Sequence, residues 1–204
     1  MSVTIAPTQE TIDQFVGNAH GNLTVVKELL KKYPSLITAD ASWTETAVQA
    51  AAQTGQVEIV SYLIEYGADY DICTAAMLGN LDCMDDFLKE DPDLINARGT
   101  HGIPLLYFPV IHAKIEMAEY LYRHGADPNA VSPGGITPLH GAVMFNQPKM
   151  AEWLLERGAN PNPKYDGKTP LAMALEKKLT ELIEVLRLRG ERNRSGPDPG
   201  HGVI

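Results

Sequence analysis

The chain has 204 residues, of which 44% are hydrophobic and 21% are charged, and its formal net charge is −9. This composition is ordinary for one compact domain or one repeat array. The acidic balance argues against a general affinity for nucleic acids or anionic membranes, because such affinity requires clustered Lys and Arg. No apolar run approaches the roughly 18 residues of a membrane-spanning helix.

Neither the start of the chain nor its cysteines indicate secretion. The first residues carry no basic segment followed by an apolar one, so we expect no secretory signal. The two cysteines, Cys73 and Cys83, lack further Cys or His residues at zinc-site spacing. We therefore expect buried, reduced cysteines, no metal, no cofactor and a cytoplasmic protein.

Apolar residues at helical spacing recur along the chain with a period near 33 residues. Residues 22–33 and 57–67 each place four large aliphatic residues on one helix face. The helix-ending glycines Gly125 and Gly158 are 33 residues apart, and Gly21 and Gly55 are 34 apart. This period, with two short helices in each unit, predicts a stacked helical repeat. Such a unit cannot bury its own apolar stripe, so its stability must come from its neighbours.

Short motifs in phase with this period resemble the ankyrin repeat. The tetrapeptide TPLH occupies 137–140, TPL recurs at 169–171, and EIVSYLIEYGAD occupies 58–69. The resemblance covers about 9–190 and implies a loop followed by two antiparallel helices in each unit. It also implies that His140 holds adjacent units in register by hydrogen bonding rather than acting in catalysis.

The predicted fold is an all-α ankyrin-repeat solenoid of about six helix-turn-helix units. We expect a single domain over 1–190, with a disordered tail at 191–204 because this segment is polar and rich in Gly and Pro. The third unit is short, since only 24 residues separate Gly55 from Gly79. This is either one degenerate hairpin loop or a notch in the row of loops.

The segment HGIPLLYFPVIH at 101–112 departs most from the repeat. Tyr107 stands where His140 stands in the next unit, and Pro109 falls inside the expected first helix. Proline removes a hydrogen bond in a helix interior and clashes with the preceding turn. We expect this helix to be kinked or to start late, either as a packing accident or as strain at a functional site.

By resemblance, the last turn of each first helix faces a concave groove. In the three central units these positions are mostly apolar, which predicts an exposed apolar patch at the centre of a polar rim. The alternative is that these side chains pack beneath neighbouring loops. The residues that we predict to contact a partner are Trp43, Met77, Leu78, His101, Tyr107, Ile111, His112, Ile136, Met144 and Phe145.

These observations predict a non-enzymatic module that binds a protein or peptide partner. The chain contains no GxSxG, HExxH, Walker or dinucleotide-binding motif, so it offers no catalytic signature. Two alternatives stay open. One is a small-molecule or enzymatic pocket at the notch, walled by Trp43, His101 and Tyr107. The other is self-association of an otherwise monomeric chain through the apolar patch.

Overall fold

The computed structural model describes residues 6–69 and 71–192, with the side chains of 190–192 excepted. Within these ranges the chain forms twelve α-helices, arranged as six successive pairs that we call units one to six. The helices are α1 Gln9–Asn18, α2 Leu23–Lys32, α3 Ala47–Gln53, α4 Val57–Glu65, α5 Ile72–Leu78, α6 Leu81–Glu90, α7 Tyr107–Ile111, α8 Ile115–Arg123, α9 Pro138–Met144, α10 Pro148–Glu156, α11 Pro170–Glu176 and α12 Thr180–Arg192. The predicted all-α solenoid of six units is confirmed.

Side-chain caps fix where the first helix of most units begins. Thr46, Asp71, Thr137 and Thr169 each accept a hydrogen bond from the backbone N–H three residues later. Such caps satisfy a donor that has no partner within the helix. In α9 and α11 a proline follows the cap, at the position where its missing N–H costs nothing.

The first helices of units two to six all end in the same way. The chain turns through one residue in the left-handed region at Gly55, Gly79, Ala113, Asn146 and Lys178. The second helix of the unit starts within two residues of this turn. Because this turn is repeated, equivalent positions in successive units are presented in register.

One continuous hydrophobic core runs through all six units, from Phe15 in α1 to Leu186 in α12. The first helices contribute small residues to it, including Ala50, Ala51 and Ala52 in α3, all of which are buried. Small side chains let neighbouring first helices approach closely, so each unit buries its apolar face against the next. No helix in the described ranges is long and apolar enough to span a bilayer.

Unit three lacks the projecting loop that precedes the first helix of units two, four, five and six. Only residues 66–71 connect α4 to α5, whereas residues 124–137 connect α8 to α9 and residues 91–106 connect α6 to α7. The predicted shortening of the third unit is confirmed. The chain runs from the end of one second helix directly into the next first helix.

The proline-containing helix of unit four starts late, which is one of the two outcomes expected from its sequence. Helix α7 spans only five residues, and Pro109 is its third residue. An N–H in the first turn has no intrahelical acceptor, so the missing donor of Pro109 breaks no helical bond. Its carbonyl accepts a 2.8 Å hydrogen bond from the backbone N–H of Lys114.

The C-terminal boundary differs from the expected one by two residues. We predicted a tail from 191, but α12 continues through Arg192. No proline interrupts the helix between Thr180 and Arg192. The remaining part of the predicted tail, 193–204, lies outside the described residues.

Candidate functional site

The last-turn pairs of the first helices in units two to six form what we call the groove strip. Its members are Gln53 and Thr54, Met77 and Leu78, Ile111 and His112, Met144 and Phe145, and Glu176 and Lys177. His112 and Met144 are exposed, and Leu78 and Phe145 are half-buried. Met77 and Ile111 are buried, so the predicted patch of exposed apolar residues on this strip is wrong at those two positions.

Contact between units two and four explains the burial at the centre of the strip. A Cβ atom at Gly55 would overlap Cγ2 of Ile111, which shows that the Ile111 side chain lies directly on the turn that follows α3. Nε2 of His112 also lies 2.9 Å from the carbonyl oxygen of Gly55. The end of α7 therefore contacts the turn at the end of α3, although unit three lies between them in the chain. Met77, near the end of α5, is fully buried in this region.

Tyr107 and Ile136 are also buried, which contradicts their predicted contact with a partner. Tyr107 packs toward unit five, where a Cβ at Gly141 would lie 2.7 Å from its ring. Burial raises the pKa of the Tyr107 phenol to about 12. Ile136 closes a tight loop through two hydrogen bonds, since its N–H donates to Ser132 Oγ and its carbonyl accepts from Ser132 N–H. The side chain of Ile136 turns into the core at that point.

Trp43 is exposed, but its indole is held in place by a buried carboxylate. Trp43 Nε1 donates a 2.7 Å hydrogen bond to Glu45, whose side chain is fully buried. Gln53 Nε2 donates to the other carboxylate oxygen at 2.6 Å and lies 3.1 Å from Nε2 of His20. We did not anticipate this cluster, because a single Glu before a helix cap has no sequence signal that distinguishes it from a surface residue.

The notch that stood as the alternative to a degenerate hairpin beside unit three is filled by described residues. The loop of unit four brings Gly99 and Thr100 against Gln49 of unit two, and the space between them is too small for a water molecule. His101 is exposed at the tip of this loop, with a left-handed φ of 60°. Tyr107 is buried toward unit five instead. Tyr107 therefore does not wall a pocket together with Trp43 and His101.

A family model described as ankyrin repeats in three copies matches residues 16–132, 72–165 and 110–195. The chain belongs to the ankyrin-repeat family. A crystal structure of an ankyrin repeat domain from Acinetobacter baumannii AYE is 25% identical, with a TM-score of 0.53, and the match covers 87% of this chain and 97% of that one. Ankyrin repeats generally mediate protein–protein interaction.

A curated relative of this ankyrin chain is alpha-latrocrustotoxin-Lt1a from Latrodectus tredecimguttatus. It is 28% identical over 116 residues, which is 53% of this chain. The match spans only 8% of the relative's length, so it concerns a small part of that protein.

The resemblance implied that His140 of the TPLH motif hydrogen-bonds between adjacent units, whereas the hydrogen bonds of its ring in the structure stay within its own unit. His140 is fully buried, and its Nδ1 accepts a 3.2 Å hydrogen bond from the backbone N–H of Thr137. Burial lowers the pKa of His140, although the backbone of Lys168 and Pro163 in the next unit's loop partly opposes this effect. His140 Nε2 is buried and forms no hydrogen bond of good geometry. The ring hydrogen-bonds at the start of α9 and packs against Tyr165 in the loop of unit six, with ring centroids 5.8 Å apart.

The described part of this ankyrin domain contains no group of three His, Cys, Asp or Glu side chains placed to hold a metal ion. Cys73 is buried, and burial raises the pKa of its thiol well above the ordinary range. Cys83 is half-buried. A thiol with a raised pKa is a weak nucleophile at neutral pH, because the thiolate is the reactive form.

Proposed function

We propose that this ankyrin domain is a non-enzymatic module that binds a protein or peptide partner along the groove strip. The observation that supports this proposal most is the repeated left-handed turn. It presents His112, Met144 and Phe145 in register at the ends of consecutive first helices. A surface that is ordered before binding loses little conformational entropy when the partner docks. Buried neighbours hold the strip rigid, and the exposed side chains supply the contacts.

The exposed part of the strip has the mixed character of a binding surface. Met144 is 36% exposed, and Phe145 is half-buried beside it, with its ring 6.2 Å from that of Tyr107. Glu176 and Lys177 follow in unit six and are exposed. An apolar centre beside charged residues favours an extended peptide with one apolar anchor and polar flanks. Trp43 and His101, both exposed in loops, stay predicted contacts.

Selection from a random peptide library tests this proposal. The immobilised full chain is used to select peptides, whose affinities are then measured for the wild type and for Met144→Glu. We expect the substitution to weaken binding by about tenfold or more, because a carboxylate then meets an apolar anchor. Leu188→Glu is the matched control, since Leu188 is an exposed apolar residue on α12, away from the strip. It should change the affinity by less than about twofold.

Two results would contradict the groove-strip proposal. One is a set of selected peptides that bind Met144→Glu as tightly as the wild type. The other is a mass in solution that doubles with concentration and reverts to that of a monomer in Met144→Glu, which would assign the strip to self-association instead. A cytoplasmic location stays a prediction from the two cysteines, which form no disulfide.

A further inference from the structure

A second concave feature lies between the second helices of units two and three, away from the groove strip. It is a cavity of about 350 Å³ between the end of α4 and the face of α6. Its apolar lining consists of Ile64, Ala68, Cys83 and Phe87. Phe87 and Ile64 are half-buried, so part of their surface lines the opening. This volume is at the lower end of the range for ligand-binding cavities.

The missing loop of unit three explains why the cavity exists at this point of the array. Between units four and five the chain after the second helix is tied to its neighbour. Asn129 Nδ2 donates 2.9 Å to the carbonyl of Gly158, and Asn129 Oδ1 accepts from Asn160 N–H at 2.7 Å. After α4 the equivalent position is Asp71, which instead caps α5. The pair of hydrogen bonds that Asn129 forms between units four and five therefore has no counterpart at Asp71 between units two and three.

Three carboxylates surround the apolar lining. Asp69, Asp86 and Glu90 all line the cavity and are all exposed. None of them forms an ion pair within the described part of the chain. The nearby Lys89 is paired with Asp85. The cavity therefore has an apolar floor and a rim with an excess of negative charge, in which Asp86 also attracts Lys89 without forming an ion pair with it.

The ends of two helices add to the negative potential. Ile64 lies in the last turn of α4 and Ala68 in the turn that follows it, and Phe87 and Glu90 lie in the last turn of α6. The C-terminal end of a helix carries a partial negative charge from its unpaired carbonyl groups. Both helix ends and the carboxylate rim thus favour a cation at the same place.

We propose that this cavity binds an arginine side chain presented by an extended segment of a partner protein. The aliphatic stem of arginine matches the apolar lining, and its planar guanidinium can stack on Phe87 while it pairs with Asp86 or Glu90. Arginine is favoured over lysine because a guanidinium is less strongly hydrated and donates in a fork that fits a carboxylate. This surface is distinct from the groove strip, so the inference does not depend on that proposal.

An NMR titration of the ¹⁵N-labelled full chain tests this assignment. The probe is the peptide acetyl-Leu-Arg-Leu-amide, and its comparison is the same peptide with citrulline, which has nearly the same shape but no charge. We expect amide shifts concentrated at Ala68, Cys83 and Phe87, with a Kd near the millimolar range. Citrulline should bind at least about fivefold more weakly, because it cannot pair with the rim.

A pair of double variants separates this site from general attraction to an acidic protein. Asp86→Asn/Glu90→Gln should weaken arginine-peptide binding by about fivefold or more, since it removes two carboxylates from the rim. Glu65→Gln/Asp82→Asn removes the same charge from exposed positions on α4 and α6 that do not line the cavity. It should leave the affinity within about twofold. If circular dichroism shows that the rim double variant is misfolded, Asp69→Asn makes the same comparison.

Three outcomes would overturn the proposal. The first is equal binding of the citrulline peptide, which would mean that only the leucines are recognised. The second is equal weakening in both double variants, which would indicate a diffuse ionic attraction. The third is the absence of localised amide shifts at Ala68, Cys83 and Phe87 while the peptides selected for the groove strip still bind. The groove strip would then be a binding surface and the cavity would not.

Discussion

The imidazole of His112 in unit four donates a 2.9 Å hydrogen bond to the carbonyl of Gly55 in unit two. The bond joins two units that are separated by a third, whereas each unit of a regular solenoid contacts only its neighbours. Ile111 lies on the same turn, so the contact is both polar and apolar. The centre of the array is thus held by packing between units that are not neighbours in the chain.

Replacement of Gly55 by alanine should be strongly destabilising. Gly55 has a φ of 74°, where an L-residue is strained, and its new Cβ would overlap Ile111. Left-handed backbone strain should cost about 1 kcal/mol, and overpacking against Ile111 about 1–3 kcal/mol. Together they predict that the free energy of unfolding falls by about 3 kcal/mol. Urea unfolding followed by circular dichroism measures this change.

Gly79→Ala provides the matched control for that substitution. Gly79 has nearly the same φ, 76°, but its new Cβ would meet only the flexible end of the Lys114 side chain, at 3.1 Å. We expect a loss of about 1 kcal/mol from backbone strain alone. Equal losses at the two glycines would mean that Ile111 does not restrict the turn at Gly55.

Part of this architecture could be predicted from the sequence, because repetition makes a weak local signal strong. The six units, the short third unit and the late start of α7 all follow from motif spacing and from Pro109. The burial of Met77 and Ile111 did not follow, since both occupy positions that are exposed in a regular array. A contact between units that are not neighbours has no periodic signal, and Ile111 is buried against such a contact.

The backbone of the left-handed turn in unit four is strained, and a glycine there should stabilise the domain. Ala113 has a φ of 50° at a position where the other turns use glycine, asparagine or lysine. Ala113→Gly relieves left-handed strain of about 1–2 kcal/mol and adds some entropy to the unfolded chain. The net expected gain is about 0.5–1 kcal/mol, measured as a raised urea midpoint.

Asn146→Gly is the control for this gain. Asn146 has a φ of 53°, close to that of Ala113, but asparagine tolerates this region. Its replacement should change the free energy of unfolding by less than about 0.5 kcal/mol. If Ala113→Gly also fails to raise the midpoint, the alanine at this turn carries little strain.

The buried carboxylate of Glu45 should contribute to stability through the donors that it satisfies. Glu45→Ala would leave Gln53 Nε2 without this acceptor and would release the indole of Trp43 to solvent. Loss of a buried acceptor predicts destabilisation of about 2 kcal/mol. The fluorescence of Trp43 should shift to longer wavelength in the folded variant.

Glu45→Gln is the control, because it keeps one acceptor oxygen and should therefore lose less free energy of unfolding. An unchanged emission spectrum would contradict the assigned hydrogen bond.

Burial of the neutral His140 ring predicts that the domain becomes less stable in mild acid. Its pKa is lowered in the folded state, so below the ordinary value of about 6.5 the unfolded chain binds more protons than the folded one. The stability that depends on the neutral ring is present above about pH 6.5 and is lost as the pH falls through the lowered pKa. Urea unfolding at pH 7 and at pH 5 should therefore show a smaller free energy of unfolding at the lower pH.

Two histidine variants isolate the contribution of His140 to this pH dependence. His140→Gln removes the titrating ring, so the free energy of unfolding should depend less on pH between 7 and 5. The variant should also be less stable at pH 7, because the hydrogen bond from Thr137 N–H is altered. His101→Gln changes an exposed ring and should preserve the wild-type pH dependence. If His140→Gln also retains the full wild-type dependence, the loss of stability in acid arises from other groups and not from the buried imidazole.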